Sequence, residues 1–270
     1  MKSKFDLTGK TAVVTGASGK LGPIWIRSLL AYGASVFPLD LPGLEPSEDF
    51  IKLQNEFGEE RLPALYGADS LDKDALEKAL GKCLQVFGAP DILVNNAGID
   101  QPPAKGKSFA IEDIPGEMFL PTLNVNVYGA FLVTQVFAKP MIEKGSGSVI
   151  NIGSLYASVS PNEALYNHIE IDPPFIKPPA YGASKAALLN LTKYLAAHWG
   201  PKGVRVNALS PGGVLGGQDE EFKRKFNSRV PLGRMAKPGD LEGPLVFLAS
   251  DASSYVTGIN LPVEGGFLLW

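Results

Sequence analysis

The chain has 270 residues, 45% of them hydrophobic and 20% charged, and a net charge of −3. This is ordinary globular material with enough apolar side chains for a sizeable core, and its mildly acidic balance argues against nucleic acid or an anionic membrane surface as partner. The single cysteine, Cys83, rules out an internal disulfide, and a polar start with no apolar run of bilayer-spanning length gives the expectation of a cytoplasmic protein.

In chain order, 11–15 predicts a buried strand, and a glycine-rich turn leads from it into an apolar helix over roughly 20–32. A second strand is expected over 34–39, a polar helix from about 47, and a third strand over 62–68. The stretch 72–87 has the amphipathic period of a helix, with Asp72 as N-cap and Gly88 as stop. A fourth strand follows at 91–95, then a long helix at about 117–143, a fifth strand at 148–152 and a helix at 180–199. Strands at 204–208 and 259–263 complete the set. Strands alternating with helices imply right-handed crossovers and a parallel sheet covered on both faces. The expected fold is therefore α/β: one doubly wound Rossmann-type domain over 1–270 with a seven-stranded, mostly parallel sheet. The irregular part is 156–179, where Pro161, Pro173, Pro174, Pro178 and Pro179 interrupt any ladder. A connection of that length reads as a functional loop or lid on the substrate side.

The first strand runs into Thr15-Gly16-Ala17-Ser18-Gly19-Lys20-Leu21-Gly22. Small residues there let the backbone turn sharply against a pyrophosphate, at which the next helix points its free N–H groups. Asp40 ends the second strand, 18 residues past Gly22. A carboxylate there accepts both ribose hydroxyls and repels a 2′-phosphate, so NAD is expected over NADP. The competing reading makes Asp40 a turn residue before Pro42 and Gly43. Lys20 binds phosphate or points to water. Asp69, after Ala68 at the end of the third strand, accepts from the adenine amine or opens the following helix. Asn95-Asn96-Ala97-Gly98 follows the fourth strand, where an open α/β sheet has its ligand crevice.

Tyr181 and Lys185 open the helix 180–199 and, at i and i+4, share one face. Hydride transfer at a carbinol carbon needs proton transfer at its oxygen. A free phenol, with a pKa near 10, is a poor base at neutral pH. A nearby ammonium favours the phenolate and brings it toward a working range. A half-buried tyrosine beside a solvent-facing lysine is the alternative. Ser154 ends the fifth strand at the same crevice and is placed to donate to a substrate oxygen. Asn126, inside the long helix, either breaks the helical ladder and holds a water or satisfies itself locally.

Taken together, the glycine turn, Asp40, Asp69, Asn95-Asn96-Ala97-Gly98, Asn126, Ser154, Tyr181 with Lys185, Pro211-Gly212, Pro231-Leu232-Gly233-Arg234-Met235 and Glu264-Gly265-Gly266 resemble the classical short-chain dehydrogenase/reductase family, from about residue 8 to 267. The resemblance implies a tetrad in which Tyr181 is the acid/base and Lys185 lowers its pKa and binds the nicotinamide ribose. Ser154 would orient the substrate oxygen and Asn126 hold a relay water. It extends the expected cofactor contacts to Pro211, Gly212 and Val214, and implies a homodimer or homotetramer. The chain departs from the pattern in four places. Lys20 stands where classical members carry the middle glycine, as in the extended members, which opens an epimerase or dehydratase alternative. Gly216 takes the place of a threonine that contacts the nicotinamide amide. The loop 216–230, read as a substrate lid, is short. Ser154 and Tyr181 lie 27 residues apart, about twice the family spacing, and the excess falls in 156–179.

That insertion carries Asn162, Glu163, Tyr166, Asn167, His168, Glu170 and Asp172. So many donors and acceptors point to a polyhydroxylated ligand, because buried hydroxyls require partners; the insertion and Ser210-Pro211-Gly212-Gly213-Val214 resemble short-chain members of surface-sugar biosynthesis, a resemblance that implies a sugar or sugar acid. A solvated proline-rich loop at a subunit contact is the competing reading. Lys223, Arg224, Lys225 and Arg229 either meet an acidic group or form a wet helix face. His168 and His198 are too scattered for a metal site, and none is expected. The sequence thus points to an NAD-dependent oxidoreductase. A non-catalytic dinucleotide sensor is the other alternative, one that has no need of Tyr181, Lys185 and Ser154 together.

Overall fold

The computed structural model describes residues 3–103 and 108–270. Its first strand, β1 (Thr11–Thr15), is buried along its whole length. Successive side chains of a strand point to opposite faces, so an all-apolar strand needs cover on both sides. The packing follows that alternation: Ala12 and Val14 enter one core and Val13 the other. The next strands are β2 (Ser35–Asp40), β3 (Tyr66–Gly67), β4 (Ile92–Asn95), β5 (Gly147–Ile152), β6 (Val204–Pro211) and β7 (Asn260–Val263). They assemble in the order β3-β2-β1-β4-β5-β6-β7. Every adjacent pair is parallel, so the sheet is wholly rather than mostly parallel.

On one face lie α1 (Gly22–Ala31), α2 (Glu48–Phe57) and α8 (Glu242–Ala249), which bury Trp25, Leu29, Phe50 and Leu245 against the sheet. On the other lie α3 (Lys73–Phe87), α5 (Ala130–Glu143) and α6 (Pro179–Trp199), with Leu76, Phe137, Met141 and Leu195 in the second core. Strand order reverses between β1 and β4, and the carboxyl ends of these two strands open the crevice that doubly wound sheets use for ligands.

Local chemistry sets several boundaries. Asp72 caps α3 by accepting from the Ala75 N–H, and Gly88 ends it at φ +79°, as expected. Three expectations need correction. The third strand shrinks to two residues. The long helix over 117–143 is really α4 (Gly116–Leu123), a π-helical turn over Asn124–Gly129, and then α5. Helix α8 has no counterpart in the sequence reading, because the unbroken apolar run over 244–249 carries no helical period. Beyond β6, α7 (Glu220–Asn227) lies inside the segment read as a lid.

Candidate active site

The glycine turn is fixed from below by side chains. Gly16 sits at φ +61°, and a Cβ there would meet the Ala97 Cα at 2.9 Å, so the turn and the end of β4 are in backbone contact. Thr15 Oγ1 accepts from the Asn96 and Ala97 N–H groups, both at 3.0 Å. Asn96 Nδ2 donates to the carbonyls of Thr15 (3.0 Å) and Gly16 (2.9 Å), while its Oδ1 accepts from the indole N–H of fully buried Trp25 at 2.7 Å. The sequence reading gave Asn96 no role of its own; its signal was its place between two residues that had one. No side chain caps α1; Pro23 has no N–H and the Ile24 N–H already donates to the Leu21 carbonyl, so the Leu21 and Gly22 N–H groups are the ones left to an anion at the walls formed by Gly19, Lys20 and Leu21.

Asp40 accepts from the Ser18 N–H (2.9 Å) and the Leu41 N–H (2.9 Å), which holds the carboxylate at the rim of the glycine turn. Ala68 and Asp69 line the cleft beside it. The cleft encloses about 440 Å³ and runs from Asp40 to Tyr181, with Gly98, Pro211, Gly212 and Val214 along its walls. Four residues expected as contacts stand behind those walls. Ser18 holds Asp40 and, through its hydroxyl, the Ser47 N–H. Gly22 packs so tightly that a Cβ would meet the Gly16 carbonyl oxygen at 2.3 Å. Asn95 is buried and donates to Thr134 Oγ1 (2.7 Å) and Asn151 Oδ1 (2.8 Å), cross-linking β4, β5 and α5.

Asn126 is the fourth. It lies in the π-helical turn, a local widening that recurs at functional sites. Its Oδ1 accepts from the Ile99 N–H at 2.7 Å, and its Nδ2 donates to the Ile99 carbonyl and to Ser184 Oγ, both at 3.0 Å. Both amide donors are therefore spent, and only a second lone pair on Oδ1 is left for a water. Ser184 in turn donates to the Tyr181 carbonyl at 2.7 Å, so Asn126 ties the start of α6 to the segment after β4.

Tyr181, Lys185 and Ser154 meet at the inner end of the cleft. Lys185 is buried; its Nζ donates to the Ile152 carbonyl at 2.8 Å and lies 5.8 Å from the centroid of the Tyr181 ring. Burial pushes the lysine down to about 8. Burial also pushes the phenol of Tyr181 up to about 12, with the Asp100 charge adding to the rise and the Ser154 hydroxyl, as hydrogen-bond donor, opposing it. Without a nicotinamide beside it, desolvation is the largest influence on this phenol.

The insertion is not a solvated loop. Leu165, Tyr166 and Phe175 from it pack with Leu155, Phe226 and Phe267 in a third apolar cluster. His168 meets Asp219 at 2.8 Å and Lys225 at 3.1 Å, and Lys225 also donates to Asn167. Asn162 caps a short 3-10 turn, and Glu163, Glu170 and Asp172 are exposed. Of the polar residues read as substrate contacts, Asn167 and His168 are bound to α7, Asn162 to its own turn and Tyr166 to Tyr156, while Glu163, Glu170 and Asp172 face solvent; none lines the cleft. The cations of α7 are likewise engaged: Lys223 with Glu220 and Arg224 with Glu221, both at 2.7 Å. Arg229 stacks on Phe267. Among the described residues, no group of three or more His, Cys, Asp or Glu side chains could hold a metal ion, and no helix is long and apolar enough to cross a membrane.

Two family models match the chain: short chain dehydrogenase over residues 10–167, and enoyl-(acyl carrier protein) reductase over 174–268. The chain is 37% identical to an L-rhamnose 1-dehydrogenase (NAD(P)(+)) of Azotobacter vinelandii, covering 97% of this chain and 98% of that protein. It is 33% identical to an NAD-dependent glycerol dehydrogenase of Listeria innocua, over 98% and 96%. Among solved structures, a gluconate 5-dehydrogenase from Burkholderia cenocepacia in complex with NADP and tartrate superimposes with a TM-score of 0.83 at 29% identity, over 99% of this chain and 98% of that one.

Proposed function

Since this chain belongs to the short-chain dehydrogenase family and is a hydride-transferring oxidoreductase of CH–OH groups, we propose that it couples NAD(H) to the interconversion of a carbinol and a carbonyl in a sugar, polyol or sugar acid. The observation that carries this reading is the convergence of Tyr181, Lys185 and Ser154 at the inner end of one cleft whose outer end holds Asp40. Relatives named for rhamnose, glycerol and gluconate support the substrate class.

The cleft fits a dinucleotide in its donor set: an uncapped helix N-terminus for the pyrophosphate and a carboxylate for a ribose. The nicotinamide ring supplies the hydride acceptor or donor. Asp40 accepts from the ribose hydroxyls and disfavours a 2′-phosphate, which selects NAD; Lys20, exposed at the rim, is a cation on the cleft wall that offsets this selection near the phosphates. Ser154 donates to the substrate oxygen. Tyr181 takes the hydroxyl proton during oxidation and returns it during reduction. Lys185 holds the ribose and favours the phenolate. Asn126 fixes Ile99 and the start of α6, with its remaining lone pair open to a relay water.

One catalytic domain spans 1–270, with 156–179 as a substrate-side insertion and 216–230 as a lid; the apolar cluster they share supports joint movement. The protein acts in the cytoplasm as a homodimer or homotetramer. The test is a panel of sugars, polyols and keto acids read by NADH absorbance. Steady NADH formation or consumption with a polyhydroxylated substrate is expected. Firm NADH binding without turnover across the panel refutes the reading in favour of a sensor, and isomerised sugar without net NADH refutes it in favour of an epimerase.

A further inference from the structure

The 156–179 insertion places one more cation at the catalytic end. The Lys177 side chain is only 6% exposed, and its Nζ lies 4.9 Å from the centroid of the Tyr181 ring, nearer than Lys185 at 5.8 Å. It is held there by an ion pair with Asp100, which lines the cleft just after β4. A lysine stem buried this completely beside a tyrosine does not arise from a surface charge settling on water. Its ammonium has one carboxylate partner and one aromatic face.

We propose that Lys177, anchored by Asp100 over the ring of Tyr181, is a positioning residue that sets how readily this tyrosine releases and recovers its proton. A cation over an aromatic face gains as negative charge spreads from the oxygen into the ring, so it favours the phenolate. The groups facing the phenol come from each element around it: Lys185 from α6, Ser154 after β5, Asp100 after β4, and Lys177 and Tyr156 from the segment that follows Ser154. Tyr166 stands behind Tyr156 and hydrogen-bonds it, and Arg229 acts on Tyr156. Of these, Asp100 opposes ionisation and is the group that Lys177 neutralises. The insertion thereby couples its own docking to the acid–base chemistry: with Lys177 withdrawn, the phenol faces an uncompensated carboxylate.

This inference rests on Tyr181 being the acid/base of the proposed reaction, but its test does not need turnover. The ring-carbon NMR signal of Tyr181, labelled at the phenolic carbon and assigned by its loss in Tyr181→Phe, is followed with pH in the protein saturated with NAD⁺. Lys177→Met and Lys177→Gln are expected to raise the midpoint by about one unit, or to show about tenfold less phenolate at the highest pH all variants share, from the effect of one ammonium within about 6 Å. Lys177→Arg should return to within about threefold of the parent phenolate fraction, since it keeps the charge. Where a substrate is in hand, the acid limb of kcat/KM for oxidation moves with the same sign. Coincident titrations of the parent and both neutral variants overturn the proposal, as does an arginine variant that titrates like methionine. A mere strap for the insertion would lower thermal stability in all three and leave the phenol unmoved.

Discussion

Replacing Asn96 by alanine removes three hydrogen bonds at once: those to the Thr15 and Gly16 carbonyls and that from the Trp25 indole. A neutral hydrogen bond contributes about 1 kcal/mol net, and an orphaned buried donor costs about 1–3 kcal/mol. Trp25 is fully buried and keeps no acceptor, whereas Asn96 itself lines the cleft, so water can reach the two freed carbonyls. The sum is about 2–3 kcal/mol, or a fall of about 4–6 °C in Tm for a domain of this size. The same change releases the glycine turn from the end of β4, so NADH affinity should drop by about tenfold, equivalent to about 1.4 kcal/mol. Thermal denaturation with and without NADH, plus fluorescence titration of NADH, measures both effects. A Tm within about 2 °C of the parent together with unchanged NADH affinity would show that the turn is held by its own backbone and refute the clamp.

Tyr181→Phe should abolish oxidation while leaving NADH affinity within about twofold, since the hydroxyl serves the substrate and not the dinucleotide; substantial residual turnover refutes its acid/base role. Asp40→Ala should weaken NAD by about 10- to 100-fold, the loss of one or two charge-assisted hydrogen bonds, and shift the ratio toward NADP; an unchanged ratio of the two dissociation constants removes the ribose assignment. Lys185, lowered to about 8 by burial, imposes its full penalty on the fold below that pH. Between about 8 and 10.5 the unfolded chain still holds the proton that the folded chain releases, so the contribution of this group to stability rises with pH across that window. Lys185→Met should therefore have a Tm at neutral pH equal to or above the parent's despite losing activity; a clear fall in Tm would mean that the bond to the Ile152 carbonyl outweighs the desolvation.

Much of this protein was legible in one dimension because its signals are local. The continuous apolar run of β1, the cap at Asp72, the stop at Gly88 and the i, i+4 pairing of Tyr181 with Lys185 each depend on residues a few positions apart, and backbone geometry carries them directly into three dimensions. The glycine turn followed by Asp40 is nearly as local, with a spacing fixed by the length of one helix and one strand. The residues expected at the cleft that stand behind it, Ser18, Gly22, Asn95 and Asn126, were recognisable by type but not by direction. Which way a side chain points at a crowded sheet end depends on partners such as Thr134, Asn151 and Ser184, far away in the chain.

Only the tertiary structure decided the rest. The π-helical turn at Asn126 lies where the side-chain amide of that residue reaches Ile99 and Ser184, segments far from it in sequence. Asn167 and His168 of the insertion suggested substrate contacts but are engaged by α7, because a separate apolar cluster fixes the path of that segment. Lys177 meets Asp100 across 77 positions of sequence, and no periodicity or motif records a contact of that separation. Sequence alone determined the strands of the sheet, the glycine turn and the helix that carries Tyr181 and Lys185, since these are written in short-range pattern. The electrostatic setting of the tyrosine was left to the fold, since burial and long-range charge exist only once distant segments have packed together.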